Sequence, residues 1–155
     1  MFSFRLADLI LKGYMIVYST DEIKMPAFPK RKISQWIKLT AEKYSKRVGD
    51  ISYIFCSDDK ILDINRQYLN HDYYTDIITF DYTENNVISG DMFISIDTVK
   101  INSEKFGTEY INELYRVIIH GVLHLCGIDD KAPGARVVME NSENSALADL
   151  KKLLS

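Results

Sequence analysis

The sequence predicts an α+β fold, a small mixed β-sheet covered by helices. Three observations point there. Candidate elements follow one another as β α β α β β α α α, neither strictly alternating nor segregated. The strand candidates are short β-branched or aromatic runs, whereas the helix candidates keep a 3.6-residue apolar period. With 155 residues, 46% of them hydrophobic, the chain is long enough to bury one core without disulfides or a metal staple.

The elements can be taken in chain order. Met15–Ser19 is a short strand candidate, followed by a loop marked by Pro26 and Pro29. From Lys30 to Val48, the residues Ile33, Trp36, Ile37, Ala41, Tyr44 and Val48 recur at helical spacing, and Gly49–Asp50 is expected to end that helix. Ile51–Cys56 reads as a strand. Ser57 or Asp58 can cap a helix running to about Tyr68. Ile77–Tyr82 and Asp91–Ile96 are further strands, with the polar stretch Thr83–Gly90 as their loop. Thr98–Phe106 is a short helix stopped by Gly107, and Thr108 is placed to cap a long helix to about Cys126, ended by Gly127. A last helix spans about Gly134 to Leu154. Residues 15–155 thus form one domain, and 1–14 read as a short amphipathic extension, with Met15 an alternative start.

Composition excludes several classes. Charged residues are 26%, and there are only three prolines and seven glycines, which rules out disorder and low complexity. The longest apolar stretch, near Val117–Cys126, is interrupted by His120, Gly121 and His124 and falls far short of the ~20 residues of a membrane span. Arg5 and Asp8 break the N-terminal apolar run, so no signal peptide is expected. Cys56 and Cys126 are the two cysteines; they read as reduced thiols, and the protein as cytoplasmic. The net charge of −3 hides an asymmetry: Lys24–Arg47 holds eight basic residues against Glu42, a local +7, leaving −10 on the rest. A basic helix on an acidic body is compatible with an RNA backbone; a solvated charged face is the plainer explanation.

Chemistry concentrates in HGVLHLCGIDD, residues 120–130. His120 and His124 are four apart, so on a helix they share a face and can share one metal ion. Gly127 can take a left-handed conformation that turns the chain back toward them. Asp130 follows His124 by six residues and is positioned as a third ligand; Asp129 competes, and spacing is what favours Asp130. Two histidines and a carboxylate with an open position make a catalytic zinc set, which brings a bound water to a pKa of about 7. Two histidines packed in an apolar helix are the alternative. A zinc protease of the HExxH kind carries its general base after the first histidine. Here that position is Gly121, so peptidase chemistry lacks its base.

The same residues resemble the YbeY family of endoribonucleases, whose signature is HGxLHLxGYDH. Residues 65–80, NRQYLNHDYYTDIITF, are similar to the family's NxxYRxKDxPTDVLSF, and 90–94, GDMFI, to its GDIxI strand. The likeness runs from about residue 15 to the C-terminus. It implies a zincin-like fold with one zinc on the HxxxH helix, and metal-dependent cleavage of single-stranded RNA. It also implies maturation of the 16S ribosomal RNA 3′ end and ribosome quality control, with ribosomal RNA and the small ribosomal subunit as partners and no DNA or membrane. By position, His120 and His124 match the first two metal histidines, and Asp130 stands where the family has a third. Leu69 stands where the family has an arginine that contacts phosphate. Leucine cannot form that pair. Arg66, one turn earlier, is the candidate substitute beside His120 and His124 as catalytic residues; an ordinary surface arginine is the alternative. Arg116, four residues before His120, is a further candidate with a structural role as the simpler reading. Tyr73 and Tyr74 are placed to stack on unpaired bases or to pack on the sheet. A ribosome-assembly factor with a structural metal, and a hydrolase of another substrate, are the rival functions.

Overall fold

The computed structural model describes residues 14–71 and 74–155. Among these, four strands and five helices appear in the expected order: β1 (Ile16–Thr20), α1 (Lys30–Lys43), β2 (Arg47–Cys56), α2 (Asp58–Tyr68), β3 (Ile77–Asp81), β4 (Val87–Ser95), α3 (Ile96–Phe106), α4 (Tyr110–Leu125) and α5 (Ala135–Leu154). The sheet order is β1-β2-β4-β3; β1, β2 and β4 run parallel and β3 is antiparallel to β4. The fold is therefore α+β with a small mixed sheet. The expected N-terminal extension, apart from Tyr14, and Tyr73 lie outside the described residues.

The period-2 pattern of the strands divides the core between two faces. Ile51, Tyr53 and Phe55 of β2, with Ile88, Met92 and Ile94 of β4, are buried under α1, α4 and α5. On the other face Ile78 packs with Ile61 and Ile64 of α2, and Phe80 and Phe93 lie against them. The polar tips buried with this core are satisfied. Tyr53 donates its hydroxyl to the Ile118 carbonyl at 2.9 Å, and Trp36 donates Nε1–H to the Ala146 carbonyl at 2.8 Å. The second bond ties α1 to α5.

Ser57 caps α2 as expected, its hydroxyl accepting the Lys60 N–H at 3.3 Å, and Asp58 and Asp59 fill the first turn. Ser57→Ala is expected to lower stability by about 1 kcal/mol, read as a shifted urea midpoint at unchanged slope. An unshifted midpoint would show that the cap carries no net energy.

Three boundaries differ from expectation. Helix α1 stops at Lys43, not at Gly49–Asp50, because the chain turns at Ser45 with φ +58° and enters β2 at Arg47. Val48 kept the helical period by coincidence; it is paired in the sheet with Ile88, and a register shift follows it before Ile51. Strand β4 begins at Val87, inside the expected loop, since a Glu84–Val87 bridge closes a tight turn with Asn85 at φ +56°. Thr108 does not cap α4: Glu109 holds that position without a side-chain bond, and the Thr108 N–H instead closes α3 on the Ser103 carbonyl.

Both cysteines are free thiols. Burial pushes Cys56 up to about 12 and Cys126 up to about 11, so neither is a thiolate near neutral pH. No described helix is long and apolar enough to cross a membrane. On α1, Lys30, Arg31, Lys32 and Lys38 are exposed, while Lys43 pairs with Asp149 of α5.

Candidate active site

Helix α4 is held by its apolar stripe, including Leu114, Val117, Ile118 and Val122, all buried against the sheet and α5. Gly121 faces the sheet. A Cβ there would lie 2.2 Å from Met92 Sδ and 3.1 Å from Ile77 Cδ1. A side chain at position 121 would therefore have to displace the Met92 thioether. His120 and His124 lie on the half-buried border of the same helix.

The end of α4 directs the chain back over the histidines. Gly127 adopts φ +97°, a conformation that penalises any residue with a Cβ. Its N–H reaches the His124 carbonyl at 3.0 Å, and the Ile128 N–H reaches Leu123 at 3.1 Å. These are the paired bonds of a Schellman closure, with Ile128 seated on the core. The returning loop brings Asp130 Oδ2 to 3.4 Å from His120 Nε2. Asp129 is occupied otherwise: its carboxylate accepts the N–H groups of Lys131 at 3.0 Å and Ala132 at 3.2 Å. Those backbone bonds hold its pKa below the ordinary value. Of the adjacent pair, Asp130 is the one that faces a histidine.

The other nitrogen of His120 is also engaged. Nδ1 lies 2.7 Å from Glu143 Oε2, on α5. The second Glu143 oxygen accepts from Arg116 at 2.8 Å, and Arg116 also donates to Asn144 Oδ1 at 2.7 Å. Arg116 thus has a structural partner. Glu143 was not anticipated from sequence, although a signal was present. Met139, Glu143, Ala146 and Leu150 form the buried stripe of α5, and a carboxylate in such a stripe needs a partner.

Carboxylates dominate the surroundings. Burial pulls the His120 imidazole down, but its bond to Glu143 and the charges of Glu143, Asp76 and Asp130 outweigh it, leaving the pKa above the ordinary value. Burial raises Glu143, yet its bonds to His120 and Arg116 bring it below a usual carboxylate. Asp76, just before β3, is raised by burial despite the nearby charge of His120. Burial likewise raises Glu113. A site of this kind favours a cation. Among the described residues, no three His, Cys, Asp or Glu side chains are gathered closely enough to hold an ion as they stand. The assembled part is His120 with Asp130; His124 follows one helical turn on.

Arg66 is exposed in the last turn of α2, so that helix does extend through it, and Leu69 is the C-cap residue. Helix α2 packs on the sheet face opposite α4. Tyr74 is exposed.

Comparison with known proteins adds sequence and fold likeness. A family model described as Endoribonuclease YbeY matches residues 16–151. A Parabacteroides distasonis protein named Endoribonuclease YbeY is 65% identical over 135 residues, 87% of this chain and 95% of its own length. A Porphyromonas gingivalis protein of the same name is 43% identical over 139 residues, 90% of this chain and 92% of its own. A Thermotoga maritima protein solved in solution shares the fold with a TM-score of 0.63 at 24% identity, covering 88% of this chain and 89% of that one.

Proposed function

The chain belongs to the YbeY endoribonuclease family, and on that premise we propose that it is a metal-dependent endoribonuclease cutting single-stranded ribosomal RNA. In this reading it matures the 16S 3′ end on the small subunit and serves ribosome quality control. The observation that carries the metal is the 3.4 Å separation of His120 Nε2 and Asp130 Oδ2. Two atoms each about 2.0–2.1 Å from one tetrahedral zinc stand about 3.4 Å apart. The nitrogen and oxygen donors suit zinc, and the surrounding carboxylates favour its charge. His120, His124 and Asp130 would hold one Zn²⁺. When bound, zinc supplies a Lewis acid for the phosphoryl oxygen and a nucleophile at neutral pH.

The chain's own residues do the rest. Asp130 replaces a neutral imidazole with a carboxylate, lowering the site's net charge by one and softening its pull on electrons. Arg66, exposed on the helix across the sheet from the histidines, is proposed to hold the RNA backbone rather than to replace the arginine lost at Leu69 beside the metal. The exposed basic face of α1 supports a phosphodiester substrate through counterion release. The reading places the protein in the cytoplasm, where ribosomal RNA and two unpaired thiols belong.

Elemental analysis of the purified protein tests the metal. Wild type is expected to carry one zinc per chain, and His120→Ala and Asp130→Ala to lose it at unchanged circular dichroism. A zinc-free wild type that stays zinc-free after reconstitution would overturn the proposal.

A further inference from the structure

We propose that Glu143 is a positioning residue that selects the ligating form of His120. The inference rests on the metal reading above, and its geometry is independent of any ion. Glu143 is only 8% exposed, so its charge is held in place by protein groups rather than by water. One oxygen lies 2.7 Å from His120 Nδ1, and the other accepts from Arg116 at 2.8 Å. Arg116 is itself fixed by Asn144 at 2.7 Å. The carboxylate is therefore anchored at both ends, and it cannot donate to His120. The imidazole must donate Nδ1–H to it, which in the neutral ring leaves the lone pair on Nε2. That is the nitrogen facing Asp130.

Three consequences follow. The ring plane is fixed, so Nε2 points to one place. The neutral ring is held in the tautomer whose Nε2 can bind a cation. Negative charge on Nδ1–H raises the basicity of Nε2. Because Glu143 lies on α5 and His120 on α4, the packing of these two helices sets the aim of the ligand. The Trp36 bond to Ala146, one turn beyond Glu143, ties the same helix to α1.

The test compares wild type, Glu143→Ala and Glu143→Gln by zinc titration calorimetry and by ¹⁵N NMR of the His120 ring above its titration range. Wild type is expected to show Nδ1–H on His120. Glu143→Ala is expected to lose that signature and bind zinc about 10–100-fold more weakly. Glu143→Gln keeps a carbonyl acceptor of the same size and is expected to recover part of both. Should Glu143→Ala fail to fold, the isosteric Gln variant alone decides, by weaker zinc binding than wild type. Zinc binding equal to wild type in either folded variant overturns the proposal, as does a wild-type ring protonated on Nε2. A wild type that binds no zinc but shows an Nδ1–H lost in Glu143→Ala would remove the metal reading and keep the positioning role.

Discussion

His124→Ala is expected to leave the protein folded and abolish cleavage of single-stranded RNA. Chelation of the wild type is expected to do the same, reversibly on adding zinc. The loss is expected to exceed the roughly 10–100-fold that removing an outer partner of a ligand costs, because a ligand itself is gone. Folding survives for local reasons. His124 is at the half-buried border of α4 rather than in its buried stripe, and alanine is the better helix former. The carbonyl that closes the helix on Gly127 belongs to the backbone of residue 124 and is retained. A gel assay on an unstructured RNA, with circular dichroism on the same preparation, reads both halves. Full cleavage by folded His124→Ala would mean that the nuclease activity does not pass through this site. His120→Ala is a less clean test of chemistry, since it also strips Glu143 of one of its two partners and leaves a buried carboxylate underpaired.

Those predictions draw on features of very different visibility in sequence. The turn after α4 was legible because it is local: Gly127, the histidines and Asp130 lie within eleven residues, 120–130, and a Schellman closure has a sequence signature. The Ser57 cap was legible for the same reason. The end of α1 was not. The apolar spacing continues from Tyr44 to Val48, and only pairing with β4 shows that Val48 belongs to a strand. Spacing favoured Asp130 over Asp129, but the physical reason is visible only in the loop backbone, whose Lys131 and Ala132 N–H groups claim Asp129. Glu143 was the least visible. Its partner lies 23 residues away on another helix, and no local pattern pairs α4 with α5. Family likeness supplied what neither spacing nor geometry could, the RNA substrate.

Gly121→Glu, which would restore the HExxH pattern of a zinc protease, is expected to abolish the cooperative fold rather than confer a new base. The reason is the space above Met92. Even a Cβ would sit 2.2 Å from Met92 Sδ and 3.1 Å from Ile77 Cδ1, and Met92 is fully buried, so it has little room to yield. Overpacking of this kind costs about 1–3 kcal/mol. The gain from replacing a helical glycine by alanine is about 1 kcal/mol. Gly121→Ala is therefore expected to be destabilised by no more than about 2 kcal/mol. A glutamate adds the burial of a carboxylate against two apolar side chains, a further several kcal/mol, comparable with the whole stability of a domain. Urea denaturation measures the alanine variant, and loss of the unfolding transition marks the glutamate variant. The contact can be isolated by shortening its other side. Met92→Ala combined with Gly121→Ala is expected to be less destabilised than the sum of the single variants, because the added Cβ then fills part of the space the thioether left. Additive effects would show that α4 does not need this glycine to lie on the sheet. The same crowding bears on chemistry. Position 121, facing Met92 and Ile77, points into the core and not toward a space where a proton acceptor could meet RNA.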